Sequence, residues 1–174
     1  ILWGLFKKIV IADNCAEYAN LVFNNAADQS GSTLVLGALL FSFQIYCDFS
    51  GYSDIAIGTA RLFGIDLLRN FAFPYFSRDI AEFWRRWHIS LSSWFKDYLY
   101  IPLGGSKGGT WMKIKNTFII FLVSGFWHGA NWTFIIWGFL NALYIMPSII
   151  FNTNRTNLDI VAHGKYFPTF KEIL

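Results

Sequence analysis

Charge is scarce in this sequence. Only 14% of its 174 residues are Asp, Glu, Lys or Arg, against about 25% in an ordinary soluble domain. From Thr117 to Phe151 there is none at all. Such a stretch has little with which to present a solvated outer face, which argues against a water-soluble globular fold. Cysteine is almost absent too. Cys15 and Cys47 have neither metal-ligand nor redox spacing, which excludes a zinc site or a disulfide scaffold and leaves both as small buried apolar residues. No metal-binding set is predicted elsewhere. The chain also lacks a charged leader followed by an apolar core and a small-residue cleavage site, so no signal peptide is predicted.

What fills the space is apolar and aromatic. The composition is 55% hydrophobic and 20% aromatic, with a mean hydropathy of +0.39. This is the profile of a membrane protein with several spans. The sequence opens at Ile1 and closes at Leu174 without a start or tail feature, so we read residues 1–174 as one partial transmembrane domain, a fragment of a longer chain. The remaining charge is unevenly placed. Nine of the 14 Lys and Arg residues fall between Arg61 and Lys115, against four acids. The positive-inside rule puts that segment at the cytoplasmic face. The aromatic density and the flanking apolar runs argue for a membrane surface and against nucleic acid as its partner.

Along the chain, residues 1–23 read as a helix interrupted by Lys7-Lys8, and Asn24 to Ser32 as a polar loop. Ser32 or Thr33 is positioned to cap a long apolar helix reaching Phe63. Asp48 and Asp54 lie in its second half, six residues and so about 120° apart. They do not share a face, Gly51 permits a bend between them, and both acids are expected to satisfy arginine or backbone groups. Pro74 blocks helix locally. Asp79 and Glu82 have capping-box spacing for a helix predicted over Ile80 to Tyr100. Phe83, Trp84, Trp87, Leu91, Trp94 and Phe95 form its apolar stripe, while Arg85, Arg86 and Lys96 lie off it, as in a helix at or dipping into the interface. His88 falls roughly 80° from the stripe's centre, where a structural role competes with a functional one. Gly104-Gly105-Ser106-Lys107-Gly108-Gly109 lacks the spacing of a phosphate-binding loop and reads as a connector. His163, in the polar segment 152–174, reads as structural.

The uncharged run from Thr117 to Phe151 would be roughly 52 Å long as one helix at about 1.5 Å per residue. That exceeds a bilayer core of about 30 Å. A break is therefore expected at Gly125-Phe126-Trp127-His128-Gly129-Ala130-Asn131-Trp132, with one helix over 112–127 and another from Trp132, kinked or ended by Pro147. Asn131 is a good N-cap. A helix N-terminus directed at His128 favours its neutral imidazole, which can take a proton from a hydroxyl. Polar groups at membrane depth mark a site by default, so His128 is the first candidate for chemistry.

Three stretches together resemble the membrane-bound O-acyltransferase family, and most closely its bacterial alginate O-acetyltransferase and teichoic-acid D-alanine transfer branch. They are residues 44–54 (Gln-Ile-Tyr-Cys-Asp-Phe-Ser-Gly-Tyr-Ser-Asp), residues 83–92 running on to 97–105, and residues 127–132 (Trp-His-Gly-Ala-Asn-Trp). The motif core thus spans 44–132. The resemblance implies an all-α fold, a fragment of a polytopic transmembrane helical bundle with an amphipathic interfacial or re-entrant helix, in a bacterial inner membrane. It implies His128 as the essential catalytic residue and His88 as the second active-site position; Asn131, Trp127, Asp48 and Arg85 are expected to support the site or bind substrate. It implies no bound cofactor; an acyl thioester, either acetyl-CoA or an acyl-carrier protein, is the donor. The acceptor is a polymer or a carrier, and an extracytoplasmic esterase-like or carrier protein is the expected partner. The residues alone leave two rivals open: a transporter or channel whose intramembrane His and Asp relay protons, and a structural subunit in which His128 merely packs.

Overall fold

The computed structural model describes residues 1–158 and Thr169, so His163 lies outside the described residues. Among the described residues the regular structure is helical, with no strand. The chain divides into two compact units, one running Ile1–Arg69 and one beginning at Asn70.

The first unit is a helical hairpin. Helix α1 (Leu2–Leu5) passes through a π-helical stretch (Phe6–Ala12) into α2 (Asp13–Asn24), and a short 3-10 turn (Ala26–Asp28) leads into α3 (Gly31–Leu62). Ser30, not Ser32 or Thr33, caps α3: it has extended backbone, and its Oγ accepts from the Thr33 N–H at 3.3 Å. The two arms run antiparallel. A Cβ added at Gly4 would meet the Gly51 carbonyl oxygen at 2.5 Å, one at Gly37 would meet Val22 at 2.8 Å, and one at Gly58 would meet Ile1 at 2.7 Å. Small residues thus let the two backbones touch, the usual device where lipid removes the hydrophobic drive between helices.

The acids of α3 are satisfied by lysine rather than arginine. Lys7, which is buried, reaches Asp54 Oδ2 at 2.8 Å and the Ser50 hydroxyl at 3.0 Å. Lys8 reaches Asp48 and Asp13, each at 2.7 Å. The widened π turn carries both lysines, and their neighbouring positions match two acids that leave α3 in different directions. The helix runs unbroken past Gly51.

In the second unit, a 3-10 turn at Pro74–Phe76 precedes α4 (Ile80–Arg86), α5 (Ile89–Phe95) and a π-helical stretch (Lys96–Tyr100). The single helix expected over Ile80–Tyr100 is therefore broken at Trp87 and His88. Trp87 is extended and His88 is left-handed, with φ 47° and ψ 57°. Backbone partners outside the helix make the difference: the Ala72 N–H donates to the Arg86 carbonyl and the Ile89 N–H to the Asn70 carbonyl, both at 3.0 Å. Tertiary hydrogen bonds override a continuous apolar periodicity, which sees only one face of the helix.

Helices α6 (Gly109–His128) and α7 (Trp132–Ile150) form a second antiparallel hairpin. A Cβ on Gly125 would fall on the Phe134 carbonyl oxygen, and one on Gly138 on that of Phe121. Pro147 sits in the last turn of α7, which ends three residues later at Ile150. Asn116, fully buried on α6, donates to the carbonyls of Leu103 (3.2 Å) and Gly105 (3.0 Å) and so pins the glycine-rich connector. Among the described residues two helices, α3 and α7, are long and apolar enough to cross a membrane.

The hairpin contact gives a direct test. Gly138→Val in the full-length protein should cost about 1–3 kcal/mol through overpacking, read as a lower melting temperature in detergent. Gly31→Ala, where an added Cβ meets nothing within 4 Å, should leave stability unchanged or slightly raised. Equal melting of the two variants would contradict the close approach.

Candidate active site

His128 ends α6, and Gly129-Ala130-Asn131 turns the chain at once into α7. Asn131 Oδ1 accepts from the Thr133 N–H at 3.0 Å and from its hydroxyl at 3.1 Å, the arrangement of an N-cap. The tight return lays His128 against α7, its ring 5.3 Å from that of Trp137 and 6.2 Å from that of Phe134.

His88 arrives from the break between α4 and α5. Its left-handed backbone, uncommon for a residue other than glycine, carries a strain of order 1–3 kcal/mol. The break is held from both sides. Asn70 Oδ1 accepts from the Ser90 N–H at 3.1 Å and the Ser90 hydroxyl at 2.6 Å. The Ser92 hydroxyl lies 3.3 Å from the carbonyls of Trp84 and Trp87. Trp84 wedges α4 against the α6–α7 hairpin, with ring contacts to Phe121 (5.2 Å) and Trp137 (5.8 Å).

The two histidines line one cavity of about 390 Å³. Trp127 touches both imidazoles, at 6.2 Å from His88 and 5.0 Å from His128. Ser92, Ser93, Thr117 and Ser124 add hydroxyls to the wall, and Arg85 and Lys96 add positive charge. Burial, with a smaller contribution from nearby His128, holds the His88 imidazole below the ordinary histidine range, so it is neutral at pH 7. Such a chamber can bind an uncharged polar group, offer an imidazole lone pair to a hydroxyl proton, and meet an anionic group with Arg85 or Lys96.

The other predicted residues are placed differently. Arg85 donates to the carbonyls of Asn154 (2.7 Å) and Asn157 (2.8 Å), tying the segment after α7 to the cavity rim that Asn154 lines. The Asn131 side-chain oxygen is taken up by capping. Asp48 belongs to the first unit, bonded to Lys8. Among the described residues, no group of three or more His, Cys, Asp or Glu is arranged to hold a metal. Asn70 was missed by sequence reasoning because its partners lie about 20 residues away and no local pattern announces them.

Part of this wall comes from α4, whose start is held by a cluster of charged side chains. Asp79 accepts from the Glu82 N–H at 2.7 Å, as a capping box requires. The reciprocal arm is shifted by one residue, because Glu82 accepts from the Arg78 N–H at 2.6 Å. The Glu82 carboxylate, 1% exposed, also takes the guanidinium groups of Arg78 and Arg86.

A family model described as the membrane-bound O-acyltransferase family, MBOAT, matches residues 2–168. The chain belongs to this family. Among curated members of similar sequence, a peptidoglycan O-acetyltransferase of Helicobacter pylori is 51% identical over 140 residues, covering 80% of this chain and 27% of the relative. A probable alginate O-acetylase of Azotobacter vinelandii is 52% identical over 135 residues, covering 78% and 27%. A teichoic acid D-alanyltransferase of Streptococcus thermophilus is 38% identical over 157 residues, covering 82% and 37%. The chain therefore spans about a quarter to somewhat over a third of the length of these relatives.

The α4 cluster yields a pH dependence. Burial alone would raise the Glu82 pKa, but the hydrogen bonds from Arg78 and the charge of Arg86 outweigh it and leave the group below the usual carboxylate range. A carboxyl with a depressed folded pKa contributes stability above its unfolded value of about 4.3 and loses it as pH falls through the folded value. Glu82→Ala should cost about 3–5 kcal/mol at pH 7 by removing one partner of a buried ion pair. It should also flatten the acid limb of the full-length protein's melting temperature against pH. An unchanged acid limb would show that Glu82 does not carry it.

Proposed function

We propose that the full-length protein is a multi-pass enzyme of the bacterial inner membrane. It moves an acyl group, acetyl, from a thioester donor on the cytoplasmic side to a hydroxyl of a cell-surface polymer. The observation that carries this reading is the pair His88 and His128 on one cavity, in a chain of a membrane-bound O-acyltransferase family. The names of the relatives, which include peptidoglycan and alginate acetylation and teichoic-acid D-alanylation, support a polymer or a polymer-bound carrier as acceptor.

In the step we envisage, His128 Nε2 or Nδ1 takes the acceptor hydroxyl proton as that oxygen attacks the thioester carbonyl. The tetrahedral intermediate collapses by breaking the carbon–sulfur bond. The leaving thiolate takes the proton back from the imidazolium, so an ester and a free thiol are formed. His88 orients the donor or acceptor, and Trp127 keeps both rings in place. The N-terminus of α7, capped by Asn131, offsets negative charge developing on the carbonyl oxygen. Arg85 holds the cavity rim, and Asp48 acts only through its ion pair. The donor is acetyl-CoA or an acetyl-carrier protein, and an extracytoplasmic esterase-like or carrier protein is the downstream partner.

His128→Ala in the full-length protein should reduce acyl transfer at least about 10²-fold while membrane abundance stays at the unmodified level. Labelled acetyl counted on the polymer fraction measures it. Turnover within a few-fold of the unmodified enzyme would sink the assignment.

A further inference from the structure

We infer that Asn70 is a positioning residue that sets His88 in the cavity by holding α4 and α5 apart as two helices. The inference rests on the proposed working role of His88. Three observations carry it. The apolar periodicity of residues 80–100 favours one continuous helix, which would leave His88 well off the stripe that packs. The break is instead sharp, with His88 itself at the N-cap of α5 in left-handed backbone and its side chain making no capping bond. The capping is done by Asn70, from 18 residues upstream: its carbonyl takes the Ile89 N–H at 3.0 Å and its Oδ1 takes the Ser90 N–H and hydroxyl. Two residues on, the Ala72 N–H closes on the Arg86 carbonyl at 3.0 Å. One short segment, residues 70–72, thus supplies an acceptor to the helix that starts and a donor to the helix that ends. The division of labour leaves the capping of α5 to Asn70, while His88 lines the cavity wall.

Remove the Asn70 amide, and the Ser90 N–H and hydroxyl lose their acceptor. The first turn of α5 then has a reason to wind back into α4, carrying His88 away from Trp127. Asn70 touches no reacting atom in this account, so its effect passes wholly through His88.

The test is a double-mutant cycle in the full-length protein, assayed with whichever of acetyl-CoA and acetyl-carrier protein the unmodified enzyme consumes. Asn70→Ala should lower kcat about 10²-fold, the scale of a roughly 1 Å misplacement, with the donor KM nearly unchanged. Asn70→Asp, which keeps an oxygen at the capping position, should restore most of the rate. Asn70→Ala in a His88→Ala background should slow the enzyme no further, because coupled residues are not additive. A purely structural Asn70 would multiply with His88→Ala, and that result overturns the inference. So does wild-type kcat in Asn70→Ala when His88→Ala alone is slow. Wild-type kcat in His88→Ala overturns the working role of His88 and this inference with it. Should Asn70→Ala fail to accumulate, Asn70→Ser, too short to reach both Ser90 donors, takes its place in the cycle with the same deciding results.

Discussion

The α6–α7 hairpin is closed by two reciprocal contacts: Gly125 lies on a carbonyl of α7, and Gly138 lies on a carbonyl of α6. Much of the second unit depends on that approach. It brings Phe121 and Trp137 near enough for Trp84 to meet both rings, and so seats α4 on the hairpin. It also obliges the three-residue turn after His128 to be tight, which leaves the imidazole against Trp137 rather than in open space. Small residues therefore do at the helix crossing what large ones do around it: the glycines set the distance, and the aromatics fill what the distance allows.

The cavity is made where regular structure stops. His128 is the last residue of one helix and His88 the link between two others. Each helix end exposes backbone groups that need partners, and in a poorly hydrated setting those partners must come from the protein. Asn131, Asn70, Ser92 and Asp79 supply them. The polar residues around the site are thus largely committed to backbone, while the two imidazoles, a few hydroxyls and the side chains of Arg85 and Lys96 line the cavity. A site of this kind has its chemistry set by a small number of groups and its geometry by many.

How much of this was legible in sequence follows from the range of the interaction involved. The overlong uncharged run had to break, and Gly129 to Asn131 told where, because a chain-length limit and a capping side chain are both local. The hairpin of α1–α2 with α3 was less visible. Lys7-Lys8 read as an interruption, and only the fold shows that these lysines answer Asp54 and Asp48. The split between α4 and α5 was invisible. Periodicity over 80–100 is real, yet Asn70 and Ala72 overrule it from a distance. Ser30 as the cap of α3 was missed by two residues, a choice that rests on backbone shape rather than composition.

The paired charges of the first unit also bear on how this chain gets into a bilayer. A lysine or aspartate near the centre of a lone inserting helix costs about 2.5–3.5 kcal/mol on insertion scales. Lys7 with Asp54 and Lys8 with Asp48 cancel when their two helices lie side by side, and do so at only one register. The favourable unit of insertion is therefore the hairpin rather than either helix. Side by side, the two helices carry less uncompensated charge into an apolar surrounding than either would alone, so the ion pairs that fix the finished hairpin also lower the cost of burying it in lipid.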